Sequence, residues 1–145
     1  MKKMVIYLVI AMLLIMIHAS FRETEAQKPD KCLICGMDLS KFPHTRYTVT
    51  SQNGKTTATC GVQCGLLLQL NLGKDFKSAL ATDFISAHPI QADKAVYLYK
   101  SSAVPDMSPG FIAFGNETQA KNFQKGFGGD LLKFEDALKL RAEMK

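Results

Sequence analysis

Short stretches of alternating or continuous apolar residues, separated by Gly, Pro and Asn, divide the first half of the chain into predicted elements. Residues 46–51 alternate apolar and polar side chains, which predicts a half-buried strand. The Gln-Asn-Gly segment at residues 52–54 favours a two-residue hairpin turn, so residues 55–59 should form the returning strand. The apolar stretch Val62–Leu72 predicts a buried helix that ends at Gly73.

The second half of the chain repeats this order of elements. Its pattern predicts strands at residues 82–87, 94–100, 111–114 and 131–134, and helices at residues 117–125 and 135–144. Asn116 precedes the first of these helices and should cap it, and the Ser-, Pro- and Gly-rich residues 101–110 should form a loop. We therefore predict an α+β fold made of two small ββαβ-type units packed together plus a C-terminal helix.

The N-terminal residues 1–26 have the layout of a secretory signal peptide. Two lysines precede a continuous apolar run over residues 5–17, and the small residue Ala26 offers a cleavage point. An uncleaved membrane anchor is the alternative, because residues 4–21 are just long enough to cross a bilayer. We predict that residues 27–145 form the functional domain, and that it is exported to the periplasm or to the outer face of the cytoplasmic membrane.

Charge and length exclude some classes of function. The chain of 145 residues carries a formal net charge of +5, but its lysines are spread out and mostly alternate with acidic residues. No basic run interleaved with aromatic residues is present, so we expect no nucleic-acid partner. The length is that of one ordinary domain, which buries a core without needing disulfide staples.

The four cysteines occur as two close pairs, C-x2-C at Cys32 and Cys35 and C-x3-C at Cys60 and Cys64. Such spacing is typical of chelating ligands, although two disulfides are the common alternative in an exported protein. The predicted hairpin brings its two open ends together, so Cys60 should lie near the first pair. At the start of a helix, backbone N–H groups and the helix dipole should favour the thiolate forms of Cys60 and Cys64.

Two methionines add soft sulfur atoms to these thiols and point to Cu(I) as the bound metal. Met37 follows Cys35 across a glycine, and Met107 lies in the predicted loop, so these three residues together would complete a trigonal site. Filling the core is the alternative role of both methionines. His44 is a further candidate ligand, close in sequence to the first cysteine pair. We expect a protein that binds copper and passes it on, and not an enzyme.

Two other interpretations remain open. All four cysteines together would make a structural four-thiolate zinc site, in which the glycine after Cys35 suits a knuckle turn. The C-x2-C pair also has the spacing of a thiol–disulfide oxidoreductase. That activity needs a helix start at the first cysteine, and Pro43 and the polar residues after Met37 argue against a helix there.

Taken together, these motifs resemble those of the NosL family of copper-binding accessory proteins. The resemblance spans about residues 32–138 and rests on the CLICGMD segment at residues 32–38, on residues 42–44 and 60–64, on Met107, and on residues 111–115, 120, 123, 128–129 and 134–137. It implies an exported chaperone of two ββαβ units that hands Cu(I) to the maturation of nitrous-oxide reductase. By match of motif, Cys35 and Met37 would be metal ligands and Met107 a third.

The chain also departs from the best-known members of that family. Those members are lipoproteins with a lipidated cysteine, which is missing here, and they commonly lack counterparts of Cys32, Cys60 and Cys64. The C-x3-C pair is also similar to the metal-binding segment of TRASH-type domains. The expected partner is a recipient copper enzyme or its maturation or transport proteins. Heavy-metal sensing or sequestration is the alternative role.

Overall fold

The structure is a computed structural model that describes residues 31–144. Over these residues the chain forms seven strands and three α-helices. The strands are β1 (Tyr47–Ser51), β2 (Thr56–Thr59), β3 (Phe76–Thr82), β4 (Pro89–Gln91), β5 (Val96–Tyr99), β6 (Phe111–Phe114) and β7 (Asp130–Leu132). The helices are α1 (Val62–Leu72), α2 (Glu117–Phe127) and α3 (Phe134–Glu143). Helix α1 has the predicted bounds, and the side chain of Asn116 caps α2 by accepting hydrogen bonds from two backbone N–H groups.

Two antiparallel sheets, one from each half of the chain, confirm the predicted fold. The first sheet has the strand order β2-β1-β3-β4, and the second has the order β6-β5-β7. In each half the first strand pairs both with its hairpin partner and with the strand that follows the helix. Each half is therefore a ββαβ unit, with β4 added at the edge of the first sheet and α3 following the second.

The β1–β2 hairpin forms as predicted, but its turn is not of the two-residue type. The Ser51 N–H group donates to the Lys55 carbonyl at 3.0 Å, which leaves residues 52–54 as a three-residue loop. Gly54 has a positive φ of 84° and Asn53 does not, whereas a two-residue Asn-Gly turn needs a positive φ at both positions. The Asn53 side chain instead accepts hydrogen bonds from the Ser51 hydroxyl and the Lys55 N–H group, which stabilises the longer loop.

The strand predicted at residues 82–87 is wrong. Strand β3 lies earlier in the chain, and residues 83–88 form a turn that leads into β4. The carboxylate of Asp83 causes this turn, because it accepts hydrogen bonds from the N–H groups of Ile85 and Ser86. Such local side-chain bonds compete with the pairing of a strand.

Helix α1 lies at the centre of the molecule, where it contacts β1, β2, β3, β6 and α3. Leu66 of this helix is fully buried with Tyr47 and Phe111 in the main apolar core. Burying a large apolar side chain such as Leu66 or Phe111 contributes about 1.5–3 kcal/mol. The hydroxyl of Tyr47 also donates to Gln69 Oε1 on α1 at 3.1 Å. The helix that carries Cys64 is therefore held from several sides.

Within residues 31–144, no helix is both long enough and apolar enough to span a bilayer. The signal peptide or anchor predicted at residues 1–26 lies outside the described residues and stays a prediction.

Candidate metal centre

A tight reverse turn at residues 32–37 supplies the first pair of thiols. The Cys32 N–H group donates to the Met37 carbonyl at 2.8 Å, and the Gly36 N–H group donates to the Cys32 carbonyl at 2.8 Å. Gly36 has a φ of 76°, in the left-handed region that glycine adopts without strain. The turn therefore brings both ends of the C-x2-C-G-M segment together, and no helix begins at Cys32 within this part of the structure.

The second pair of thiols comes from the junction between β2 and α1. Cys60 directly follows the end of β2, and Cys64 lies within the first turn of α1. The Thr45 hydroxyl, at the start of the hairpin, donates to the Cys60 carbonyl at 2.7 Å and holds this junction beside the segment that enters β1. The prediction that the hairpin returns Cys60 to the first cysteine turn is therefore confirmed.

The four thiols form one cluster. All four Sγ atoms lie within 4.8 Å of one another, with 3.3 Å between Cys35 and Cys60 and 3.7 Å between Cys60 and Cys64. A tetrahedral ion with metal–sulfur distances of about 2.3 Å would hold its sulfur ligands roughly 3.8 Å apart, so the cluster has the size of a single metal site. Cys32, Cys60 and Cys64 are buried and Cys35 is exposed, and all four are free thiols.

Both predicted methionines pack against the apolar group that surrounds this cluster. Met37, from the first turn, and Met107, from the loop between β5 and β6, are half-buried and pack against the group that contains Cys32, Cys60 and Cys64. The loop thus brings Met107 to this group from 47 residues further along the chain than Cys60. The side chains of both methionines therefore lie next to a group that contains three of the four cysteines.

His44 lies outside the sulfur cluster. Its Nδ1 atom is 2.9 Å from the Phe84 carbonyl, and its ring meets the ring of Phe84 edge-on at 6.1 Å between centroids. It lines a groove of about 520 Å³ beside the cluster, and Phe42 both lines this groove and packs against the cysteines. The other lining residues are Lys41, Pro43, Thr45, Phe84, Ile85 and Pro105.

The protonation of the thiols differs from the expectation based on sequence. Burial raises the pKa of the Cys60 and Cys64 thiols far above the ordinary value, so the expected thiolates at the start of α1 are wrong. Burial also raises the pKa of Cys32, but backbone N–H groups of Cys60, Cys35 and Ile34 outweigh this and lower it to about 7. Of these three buried thiols, the one that ionises most readily is therefore on the first turn.

Asp106 is the residue at this site that sequence reasoning overlooked. Burial raises the pKa of its carboxyl to about 6, although the Met107 N–H group, which donates to its Oδ1 atom at 2.7 Å, acts in the opposite direction. The Oδ2 atom is buried, and it has no hydrogen-bond partner among residues 31–144. The only signal in the sequence was its position directly before Met107.

Comparisons with known proteins agree with this architecture. A family model described as NosL matches residues 23–139. Among solved structures, the chain is similar to the crystal structure of the copper chaperone NosL from Shewanella denitrificans, with a TM-score of 0.65 and 21% identity. The similarity covers 75% of this chain and 90% of that chain. No match was found among curated proteins.

Proposed function

Because the chain belongs to the NosL family, as its sequence motifs indicated, we propose that it is an exported copper chaperone. It binds Cu(I) on the sulfur cluster and passes the ion to another protein without catalysing a reaction. The observation that carries this proposal is the meeting of four thiols within 4.8 Å, with two methionines packed against the apolar group that contains three of these cysteines. Thiolate and thioether ligands are the donors that select Cu(I).

The uneven burial of the cluster suits transfer of the ion. Cys32, Cys60 and Cys64 are shielded from water, and Cys35 faces it. A ligand from a recipient protein would therefore reach the ion beside Cys35, while the buried sulfurs hold it from the other side. Met37 and Met107 add donors that need no deprotonation, unlike the thiols.

A structural zinc site is the second candidate, because the cluster has the size that four thiolates around Zn²⁺ require. Structural zinc sites are closed, and all four ligands are cysteines or histidines. The exposed Cys35 and the packing of Met37 and Met107 against the group that contains the other cysteines favour copper. A closed site of four thiolates has no coordination position left for a thioether.

Titration with Cu(I) under reducing conditions, against a competing chelator, separates these candidates. We expect Met37→Ala and Met107→Ala each to weaken Cu(I) binding by at least about 10-fold. Replacing a residue that only hydrogen-bonds to a metal ligand already has an effect of this size, so loss of a ligand should not have a smaller one. Met144→Ala is the matched control, because Met144 packs against the main core and away from the cysteines. Zinc retained on purification, together with Cu(I) affinities that ignore both methionines, would support the zinc site instead.

We further propose that the recipient is an extracytoplasmic copper enzyme, with the maturation of nitrous-oxide reductase as the role that the family implies. The leader predicted at residues 1–26 supports export. A strain that lacks this protein should produce nitrous-oxide reductase with a reduced copper content at normal copper supply. Normal copper content, accompanied by copper sensitivity, would indicate sequestration of metal and not delivery.

A further inference from the structure

The carboxyl group of Asp106 lies against the residue that directly precedes the helix carrying Cys64. Gly61 is the N-cap of α1 and, lacking a side chain, makes no capping hydrogen bond. A Cβ atom built on Gly61 would overlap Asp106 Oδ2, and it would lie 2.9 Å from Asp106 Cγ. The carboxyl group of Asp106 therefore occupies the space that a side chain at the N-cap position would need.

The same carboxyl group is tied to the loop that carries Met107. Its Oδ1 atom accepts a hydrogen bond from the Met107 N–H group at 2.7 Å. A Cβ atom built on Gly110 would run into the Met107 carbonyl and would approach Asp106 Oδ1 to 3.2 Å, so the loop closes tightly around this carboxyl group. One side chain therefore touches both the start of the cysteine helix and the backbone of the methionine.

We propose that Asp106 is a positioning residue. Its carboxyl group packs the loop of residues 100–110 against the N-terminus of α1 and so holds Met107 at the sulfur cluster. This inference rests on the proposed function, because it treats Met107 as a copper ligand. An acidic group is favoured at this position, since the dipole of a helix attracts negative charge to its N-terminus. Removing the carboxyl group should therefore free the loop and withdraw the thioether from the ion.

A double-mutant cycle between Asp106 and Met107 tests this inference. We expect Asp106→Ala to lower the Cu(I) affinity of the full chain roughly 10-fold. In the Met107→Ala background, the same substitution should have almost no further effect. Zn²⁺ binding, which thiolates dominate, should stay within about twofold in every variant. Asp93→Ala is the charge-matched control, because Asp93 is exposed and lies beside Lys94, outside the sulfur cluster.

Substitutions at Gly61 separate positioning from simple helix capping. Alone, Gly61→Ser should displace the Asp106 carboxyl group, because the serine side chain would overlap it. The substitution should therefore weaken Cu(I) binding, although it replaces none of the proposed metal ligands. Combined with Asp106→Ala, the serine should cap α1 and restore the thermal midpoint of unfolding, but it should not restore Cu(I) affinity.

Three results would overturn the inference. Asp106→Ala could leave Cu(I) affinity unchanged, or weaken it equally when Met107 is absent, or recover full affinity when Gly61→Ser restores stability. If Asp106→Ala fails to fold, Gly61→Ser alone decides, and unchanged Cu(I) affinity in that variant would overturn the inference as well. Wild-type protein that binds no Cu(I) would refute the proposed function itself, and the inference with it.

Discussion

The buried carboxylate of Asp83 joins the two ββαβ units, and replacing it should cost substantial stability. Only 4% of this residue is exposed. Its Oδ1 atom accepts hydrogen bonds from the Ile85 N–H group at 3.1 Å and from the N–H and hydroxyl groups of Ser86 at 2.7 and 2.8 Å. Its Oδ2 atom accepts from the N–H group of Gly115, at the end of β6, at 2.6 Å.

Asp83→Asn keeps the shape of the side chain but cannot accept hydrogen bonds on both sides. In either orientation, the amide NH₂ group faces donors that have lost their acceptor, and a buried donor without a partner costs about 1–3 kcal/mol. Loss of the charge weakens the remaining bonds by about 1 kcal/mol, since bonds to charged groups are stronger than neutral ones. We therefore expect a loss of about 2–4 kcal/mol in the free energy of unfolding at pH 7.

This loss should depend on pH. Burial alone raises the pKa of Asp83, but the N–H groups of Gly115, Ser86 and Ile85 and the Ser86 hydroxyl outweigh it and hold the pKa below its ordinary value. A lowered pKa in the native state means that the ionised group stabilises the fold above the ordinary pKa of about 3.9. That contribution disappears as the pH falls through the native pKa, so wild type and Asp83→Asn should converge in acid.

Urea unfolding followed by circular dichroism, at pH 7 and at about pH 3, measures both effects. Asp93→Asn is the control, because the Asp93 side chain is 57% exposed and pairs with Lys94. A difference below about 0.5 kcal/mol at pH 7, the usual range for a surface substitution, would refute the reasoning. So would a difference of equal size at both pH values.

Three further predictions concern the sulfur cluster. Iodoacetamide should label Cys35 before the other cysteines, because it alone among the four is exposed, and Cu(I) should slow that labelling; peptide mass mapping reads out both. Gly36→Ala should weaken Cu(I) binding about fivefold in a chelator titration, because a left-handed φ costs an alanine about 1 kcal/mol or more and loosens the first turn. Cu(I) affinity should rise between pH 7 and pH 8, because burial raises the pKa of Cys60 and Cys64 and the metal must displace their protons. Each of these two cysteines that binds as a thiolate should contribute a rise of about 10-fold per pH unit. A Cu(I) affinity that does not change with pH would exclude both as thiolate ligands.

Local sequence signals predicted most of the fold. The apolar run between Val62 and Gly73 set the bounds of α1 correctly, and Asn116 marked the start of α2, because helix length and capping depend on neighbouring residues. The errors occurred where a side chain bonds to nearby backbone. Asn53 lengthened the hairpin turn and Asp83 replaced a predicted strand by a turn, and hydropathy patterns do not register such bonds.

The sequence by itself determined that the four cysteines meet, because the hairpin between residues 46 and 59 returns the chain to its starting point and α1 begins directly afterwards. Only the tertiary structure decided which thiols are buried, which of them ionises readily, and that Asp106 lies on Gly61 beside Met107. Exposure and pKa depend on everything that packs around a group, including segments far away in the chain. Spacing along a sequence specifies the ligands that a turn can offer, and packing specifies how they behave.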